Sequence, residues 1–165
     1  EAMAAEARKW GVQMLSHDDV TPAMRDEYRR LGAHIAEFPM NWETAEAAAA
    51  ARDYIVLGSP NVVRGGSHNG AISAEEAIRR GQCQILASDY YYPAPLQAAL
   101  ALVRKGALNM EDAWNLVSGS PARAAGLEDR GSLGPGKRAD IILLPEEKSR
   151  PCLVMSGGRI VYREG

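Results

Sequence analysis

The chain has 165 residues, a formal net charge of −2, 46% hydrophobic residues and 24% charged residues, which suits one globular domain with its own core. A chain so close to neutrality lacks the basic surface typical of nucleic-acid binding, and no apolar run is long enough to span a membrane. We therefore expect no nucleic-acid partner and no membrane association. Cys83 and Cys152 are far apart and lack metal-ligand spacing, so reduced thiols and a cytoplasmic location are expected.

The first 90 residues alternate short apolar runs with helical segments. The apolar runs lie at residues 12–15, 35–36, 54–57 and 85–87. Runs without polar alternation are typical of strands covered on both faces. Thr21, Asn41 and Ser73 are predicted to cap the helices between them, because their side chains can accept hydrogen bonds from the first-turn N–H groups. Alternation of this kind predicts an α/β fold with a parallel sheet.

The pattern changes after Asp89. Helices are predicted at residues 95–104, 110–118 and 120–126, and β segments at residues 140–144, 153–155 and 159–162. We expect two regions: residues 1–130, an α/β region with trailing helices, and residues 131–165, a C-terminal β extension. The extension is too short for a stable sheet of its own, so partner strands are expected.

Polar residues fall at or just beyond the carboxyl ends of the predicted strands. These residues are His17, Glu37, Asn61, His68 and Asp89. Imidazole and carboxylate groups suit a divalent metal, and a carboxylate beside a metal-bound water can accept its proton. The alternative is that each is an ordinary loop residue with local hydrogen bonds.

For residues near these candidates, the sequence gives weaker evidence of a functional role. His34 starts its strand and therefore lies at the opposite end, where a structural role is expected. Asp18 and Asp19 follow His17 and could orient its ring or cap the next helix, and capping is favoured for at least one. Tyr90, Tyr91 and Tyr92 could line the mouth of a pocket or simply pack.

The segment from Pro60 to Gly70 is the most unusual in the chain. Its glycines would let backbone N–H groups approach an anion, and an arginine adds a planar fork suited to phosphate oxygens. A surface loop with glycine turns is the competing interpretation. The density of donors favours phosphate binding slightly. The candidate ligands are Asn61, Arg64, Gly65, Gly66, Ser67 and His68.

Two segments carry a resemblance to a known family. Residues 120–127 read SPARAAGL, and residues 131–141 read GSLGPGKRADI. With Ser88-Asp89 at the last parallel strand, they resemble the C-terminal signature of the amidohydrolase superfamily. The resemblance implies the second half of a (β/α)8 TIM-type barrel, strands five to eight, followed by a small β extension that belongs to an amidohydrolase-type β-sandwich.

A narrower resemblance rests on four further segments in order. They are LSHDD at 15–19, IAEFP at 35–39, GSPNVVRGGSH at 58–68 and ILASDY at 85–90. Together they look like the diphosphatases of ribose 1-methylphosphonate triphosphate in phosphonate catabolism. The resemblance implies hydrolysis of a phosphorylated small molecule to its 5-phosphate and pyrophosphate, with a divalent metal, zinc or manganese. It also implies His17 as a metal ligand, and Asp89 as a ligand and proton acceptor.

The chain departs from the superfamily pattern in two ways. Where many members have a histidine after strand six, this chain has Glu37-Phe38-Pro39, so Glu37 or His68 could substitute as a ligand. The His-x-His of strand one and the bridging ligand of strand four are absent, because His17, His34 and His68 lack that spacing. We therefore expect the chain, which begins within a helical pattern, to be an inactive part of a longer protein.

Two alternatives stay open, one permitted by the C-terminal signature alone and one motivated by the missing ligands. The parent could be a generic amidohydrolase that acts on a cyclic amide or amidine, or the chain could be a non-catalytic fragment or assembly module. Half a barrel also leaves two strand edges unpaired. Self-association, or pairing with the missing N-terminal part, is therefore expected.

Overall fold

The structure is a computed structural model that describes residues 1–66 and 72–165. Its first part contains α1 (Ala2–Lys9), β1 (Met14–His17), α2 (Pro22–Leu31), β2 (Ala33–Glu37), α3 (Trp42–Ala50), β3 (Tyr54–Gly58), α4 (Ser59–Arg64), α5 (Ala74–Arg79) and β4 (Ile85–Ala87). Its second part contains α6 (Ala94–Arg104), α7 (Met110–Asn115), α8 (Gly119–Ala124), β5 (Ile141–Leu143), β6 (Leu153–Ser156) and β7 (Arg159–Arg163).

The first four strands form one parallel sheet in the order β1-β2-β3-β4. His17 pairs with Glu37, and Glu37 pairs with Val56, so the carboxyl ends of β1, β2 and β3 lie side by side. The predicted parallel α/β arrangement is confirmed. Within the described residues the sheet stays open, with β1 and β4 as its edges, and its assignment to barrel strands five to eight stays a prediction.

The main core lies between the sheet and the helices that follow β2, β3 and β4. Ile55 and Leu57 of β3 are buried in it, and so is Leu102 of α6. Small residues such as Ala98 and Ala99 are fully buried, which lets α6 approach the sheet closely. Each fully buried aliphatic side chain contributes about 1.5–3 kcal/mol, so this packing fixes the strand ends that carry the polar residues.

The predicted helix caps are confirmed. Thr21 accepts a hydrogen bond from the Met24 N–H at 3.1 Å, and Asn41 accepts one from the Thr44 N–H at 2.9 Å. Ser73 accepts from the Glu76 N–H at 3.3 Å. The favoured capping role for Asp18 or Asp19 is wrong, because Thr21 already occupies the N-cap of α2.

Two local predictions need correction. The first strand was expected at residues 12–15, but it spans Met14–His17, so His17 is its last residue. The segment expected to be a glycine-rich loop begins with helix α4, Ser59–Arg64. Pro60 lies in the first turn of this helix, where its missing N–H has no intrahelical partner to lose.

The C-terminal strands form a separate antiparallel sheet in the order β5-β6-β7. Gly157 and Gly158 have φ angles of 55° and 79°, which suits the tight turn predicted between β6 and β7. Ile160, Val161 and Tyr162 of β7 remain exposed. The expectation of partner strands for this sheet stays a prediction. None of the described helices is long and apolar enough to cross a membrane.

Candidate functional site

The candidate site lies at the carboxyl edge of the parallel sheet. His17 ends β1 and Glu37 ends β2, and the two residues are paired in register. Asp89 comes two residues after the end of β4, so it belongs to the same edge. His34 begins β2 at the opposite edge, where its Nδ1 atom lies 3.5 Å from Asp53 Oδ1. The fold thus places His17, Glu37 and Asp89 on one side, as the strand pattern predicts.

Left-handed backbone conformations occur at three of these strand ends. Asp18, Phe38 and Asp89 have φ angles of 58°, 54° and 51°. Such a conformation is uncommon for residues other than glycine, and unusual for a bulky residue such as Phe38. Strain of about 1–3 kcal/mol per residue is typical of functional sites, where surrounding structure holds it in place. These turns bring the side chains after β1, β2 and β4 to the same edge.

The His17 imidazole lies between two carboxylates. Its Nδ1 atom is 3.1 Å from Asp18 Oδ2, and its Nε2 atom is 3.8 Å from Glu37 Oε2. Phe38 packs edge-on against the ring, with centroids 5.4 Å apart. Asp18 is therefore placed to orient the ring, the second of the two roles open to it from the sequence.

A cavity of about 250 Å³ opens beside these residues. Its polar lining is Asp18, Asn61, Arg64 and Asp89, and its other lining residues are Phe38, Pro39, Met40, Leu57, Gly58, Pro60 and Ile72. The cavity thus joins the ends of β1, β2, β3 and β4. It brings two carboxylates and a guanidinium into one small space, which can hold a polar, charged ligand.

A larger cavity of about 770 Å³ lies elsewhere in the molecule. Its lining comes from α7, α8, the segment after α8, and strands β5 and β6, and includes Trp114, Leu133 and Val154. None of its described lining residues belongs to the carboxyl edge of the parallel sheet. The smaller cavity is therefore the candidate functional site, because Asp18 and Asp89, from the turns after β1 and β4, line it. His17 and Glu37 are not among its lining residues.

A buried ionic network supports the turn after β1. The Arg25 guanidinium is fully buried and donates to Asp19 Oδ2 at 3.0 Å, to the Ser16 hydroxyl and to the Ala33 carbonyl. Its Nε atom lies 3.3 Å from Asp53 Oδ2. Arg25 thus connects α2 to β1, β2 and the start of β3, and fixes the residues on either side of His17 and Asp18.

The predicted phosphate-binding residues in the described part of the chain divide into two groups. Asn61, Gly65 and Gly66 make hydrogen bonds within the chain, and Arg64 faces the cavity. The Asn61 amide donates to the Ile72 carbonyl at 3.2 Å and accepts from the Ala74 N–H at 3.0 Å. The N–H groups of Gly65 and Gly66 both donate to the Asn61 carbonyl. The N–H groups of the two glycines are thus used to end α4, and phosphate binding by these glycines stays a prediction. The contacts of the Asn61 side chain give it a structural role.

Arg64 is exposed and faces the cavity, and its guanidinium donates to the Tyr90 hydroxyl. This contact was missed by sequence reasoning, which gave Tyr90 no specific role. The two residues are 26 positions apart, and only the pairing of β3 with β4 brings them together. The predicted ligands Ser67 and His68 lie outside the described residues.

The described residues do not build a complete metal site. They contain no group of three or more His, Cys, Asp or Glu side chains able to hold one ion. His17 and Glu37 come near enough to bind the same ion from one side. The predicted ligand set of His17, Asp89, Glu37 and His68 stays a prediction, and His68 lies outside the described residues.

Comparison with known proteins identifies the protein family to which the chain belongs. The amidohydrolase family model matches residues 1–162, and the chain belongs to this family. It is 42% identical over 145 residues to alpha-D-ribose 1-methylphosphonate 5-triphosphate diphosphatase of Escherichia coli (strain K12). The match covers 87% of this chain and 38% of that relative, so the chain spans well under half the length of the protein it resembles.

Two further similarities are more limited. A segment of 50 residues is 50% identical to adenine deaminase of Gluconobacter oxydans (strain 621H), covering 30% of this chain and 9% of that protein. The fold matches the structure of molinate hydrolase with a TM-score of 0.71 and 15% sequence identity, over 96% of this chain and 44% of that one. The structural match supports the fold alone.

Proposed function

We propose that this chain is part of a hydrolase that cleaves a phosphoanhydride bond of ribose 1-methylphosphonate 5-triphosphate, giving the 5-phosphate and pyrophosphate. The observation that carries the proposal is the cavity that Asp89 and Arg64 line together, because hydrolysis of a phosphoanhydride needs both a proton acceptor and a cation. The 42% identity to the Escherichia coli diphosphatase supports this choice of substrate.

The roles of the two residues follow from their chemistry. A carboxylate oxygen of Asp89 would accept the proton of the attacking water. The guanidinium of Arg64 would bind phosphoryl oxygens and stabilise the charge that develops on them, because its planar fork matches their geometry. Both residues lie at the ends of rigid neighbouring elements, β4 and α4, so their separation is set by the sheet.

The proposal includes a divalent metal, zinc or manganese. His17 and Glu37 would hold it, with the remaining ligands coming from outside the described residues. Such an ion, when bound, lowers the pKa of a coordinated water and polarises a phosphoryl oxygen. Asp18 would keep the His17 ring in place through its 3.1 Å contact with Nδ1. Because the described ligand set is incomplete, we propose that the chain alone is inactive.

Hydrolysis of a cyclic amide or amidine is the second candidate, and the partial match to an adenine deaminase favours it. The feature that discriminates against it is Arg64, since a neutral amide or amidine does not require a guanidinium at the cavity. Substrate preference therefore separates the two candidates.

The test uses a hybrid protein, in which this chain replaces the matched 145-residue segment of the Escherichia coli relative. Pyrophosphate release from ribose 1-methylphosphonate 5-triphosphate and ring opening of dihydrouracil are measured for the hybrid and for this chain alone, with manganese or zinc added. We expect the hybrid to release pyrophosphate and to leave dihydrouracil intact, and the chain alone to do neither. Ring opening without pyrophosphate release would overturn the proposal.

A further inference from the structure

Tyr90 lies on the turn that follows β4, directly after Asp89, which lines the cavity. Asp89 has a left-handed backbone, and the Tyr91 N–H donates to the Ser88 carbonyl at 3.0 Å, which closes the turn. Tyr90 stands within this turn, and its ring reaches Arg64 at the end of α4. Because α4 follows directly on β3, the neighbour of β4 in the sheet, the turn places Tyr90 against a residue that lines the cavity.

Tyr90 contacts Arg64 through its hydroxyl group. The Arg64 Nη1 atom donates a hydrogen bond to the Tyr90 hydroxyl oxygen, and the guanidinium carbon lies 6.0 Å from the centre of the tyrosine ring. The hydrogen bond fixes one corner of the guanidinium. A long exposed arginine side chain would otherwise sample many rotamers, so Tyr90 reduces the conformational entropy that Arg64 loses on binding a ligand.

The unused hydrogen-bond donors of Tyr90 and Arg64 favour an anion as their ligand. A guanidinium has five N–H donors, and only one of them is used by Tyr90. The Tyr90 oxygen acts as acceptor in this contact, which leaves its own O–H group able to donate. Arg64 therefore presents guanidinium N–H groups at the cavity, with the phenol O–H of Tyr90 beside them. A phosphoryl group can accept from both.

We propose that Tyr90 and Arg64 form one phosphoryl-binding subsite, in which Tyr90 both positions the guanidinium and donates its hydroxyl to the same phosphoryl group. The proposal deepens the function given above and rests on it for the choice of a phosphoryl group as ligand. It makes Tyr90 a determinant of specificity for phosphorylated over neutral substrates.

The two following tyrosines have different surroundings. Tyr91 accepts a hydrogen bond from Gln97 Nε2 at 3.3 Å, which ties it to α6. Tyr92 is 87% exposed, and neither Tyr90 nor Tyr92 lines the cavity itself. Of the three consecutive tyrosines, Tyr90 is thus the one that contacts a cavity-lining residue. Tyr92 provides a matched control that differs in position but not in chemistry.

The same cavity also contains the carboxylates of Asp18 and Asp89. They repel an anion at short range, so binding of a phosphoryl group should depend strongly on the Arg64–Tyr90 donors. A divalent cation that binds together with the anion offsets this repulsion. Binding should therefore be tighter when manganese accompanies the anion.

The test is calorimetric titration of the complete 165-residue chain with inorganic pyrophosphate, with and without manganese. Tyr90→Phe should weaken binding about tenfold, the effect of losing one hydrogen bond to a charged group, and Tyr92→Phe should leave it unchanged. Arg64→Lys should weaken binding further. The double variant should lose less than the product of the two single effects, because the residues act as a pair. Since Tyr90 is 70% exposed, Tyr90→Phe should keep the wild-type thermal transition.

The outcomes separate this subsite from the proposed reaction. Equal binding by Tyr90→Phe and Tyr92→Phe, or no pyrophosphate binding by the wild-type chain under either condition, would overturn the subsite. Weakened binding in Tyr90→Phe combined with a hybrid that releases no pyrophosphate would retain the subsite and overturn the proposed function. Release by the hybrid that is unaffected by Tyr90→Phe would retain the function and overturn the subsite.

Discussion

Arg25 is the residue on which the turn after β1 depends most. Its side chain is fully buried between the carboxylates of Asp19 and Asp53. Replacing it with methionine would leave the buried Asp19 carboxylate without its cation, whereas Asp53 would keep its ion pair with Arg29 at 2.7 Å. Breaking a buried pair of this kind costs about 3–5 kcal/mol. We expect Arg25→Met to lower the free energy of unfolding by that amount, measured by urea denaturation.

Arg30 supplies the matched control for this prediction, because it lies on the same helix and is exposed. Arg30→Met should change the free energy of unfolding by less than about 0.5 kcal/mol, as is usual for surface substitutions. Equal stability of the two variants would show that the buried network does not hold the turn.

Cys83 is expected to be chemically inert in the folded chain. Burial raises the pKa of its thiol to about 12, although backbone hydrogen bonds at Ile85 and Leu57 oppose part of the shift. Because the thiolate is the reactive form, a disulfide reagent at pH 8 should modify Cys152 and leave Cys83 intact. Both thiols should react in denaturant. Rapid modification of two thiols in the native chain would contradict the burial.

The same thiol makes a pH-dependent contribution to stability. Its folded pKa is raised above the ordinary value of 9.0, so the folded chain retains the proton at pH values where the unfolded chain loses it. The contribution is fully present below pH 9 and is lost as the pH rises toward 12. Cys83→Ala should remove this alkaline loss, measured as the urea midpoint between pH 8 and pH 11, whereas Cys152→Ala should retain it.

The Asn61 side chain connects helix α4 to the start of α5. Its amide makes two hydrogen bonds with the backbone of Ile72 and Ala74. We expect Asn61→Ala to lower the free energy of unfolding by about 1–3 kcal/mol, because a part-buried donor and acceptor lose their partner. Asn61→Asp should cost less, since it keeps the acceptor for the Ala74 N–H. Unchanged stability of Asn61→Ala with weakened pyrophosphate binding would instead support a ligand role.

Elements with local signals could be predicted from the sequence. The caps Thr21, Asn41 and Ser73 act within three residues along the chain, so their residue types suffice. Helix α4 was missed because Pro60 and the glycines that follow it are also typical of loops. Pro60 is accommodated in the first turn of the helix and Gly65 ends it with a φ of 82°, so both residues are compatible with either structure.

Less of the site could be predicted from the sequence, because many of its contacts join residues on different elements. Strand ends identify which residues share an edge, and His17, Glu37 and Asp89 do lie there. Contacts between elements depend on side-chain reach and on turns after the strands. The Arg64–Tyr90 pair and the Asp19–Arg25 ion pair therefore have no signal in the sequence.

The whole chain presents an open sheet with apolar residues near the β1 edge. Trp10, Val12 and Leu15 are 73%, 58% and 54% exposed. Unpaired edge groups beside exposed apolar surface favour pairing with another chain. We expect the purified chain to self-associate, or to pair with a complementary chain when one is supplied. Light scattering should give a mass above 17.8 kDa, the mass of one chain.

Leu15→Lys tests whether this edge is responsible for association. It should reduce the measured mass, because a charged side chain at a strand edge opposes pairing. Leu133→Lys is the control, since Leu133 is also exposed but lies in the C-terminal region. A monomeric wild-type chain with a cooperative thermal transition would contradict the prediction.

We propose that the carboxyl edge of the parallel sheet is the active site of a hydrolase, with Asp89 as proton acceptor. The most direct measurement is pyrophosphate release from ribose 1-methylphosphonate 5-triphosphate by the hybrid carrying Asp89→Asn, beside a hybrid carrying Asp26→Asn on the exposed face of α2. The Asp89→Asn rate should fall at least about 100-fold, because the amide cannot accept the proton, and the Asp26→Asn rate should match that of the parent hybrid. An Asp89→Asn hybrid as fast as the Asp26→Asn hybrid would contradict the claim.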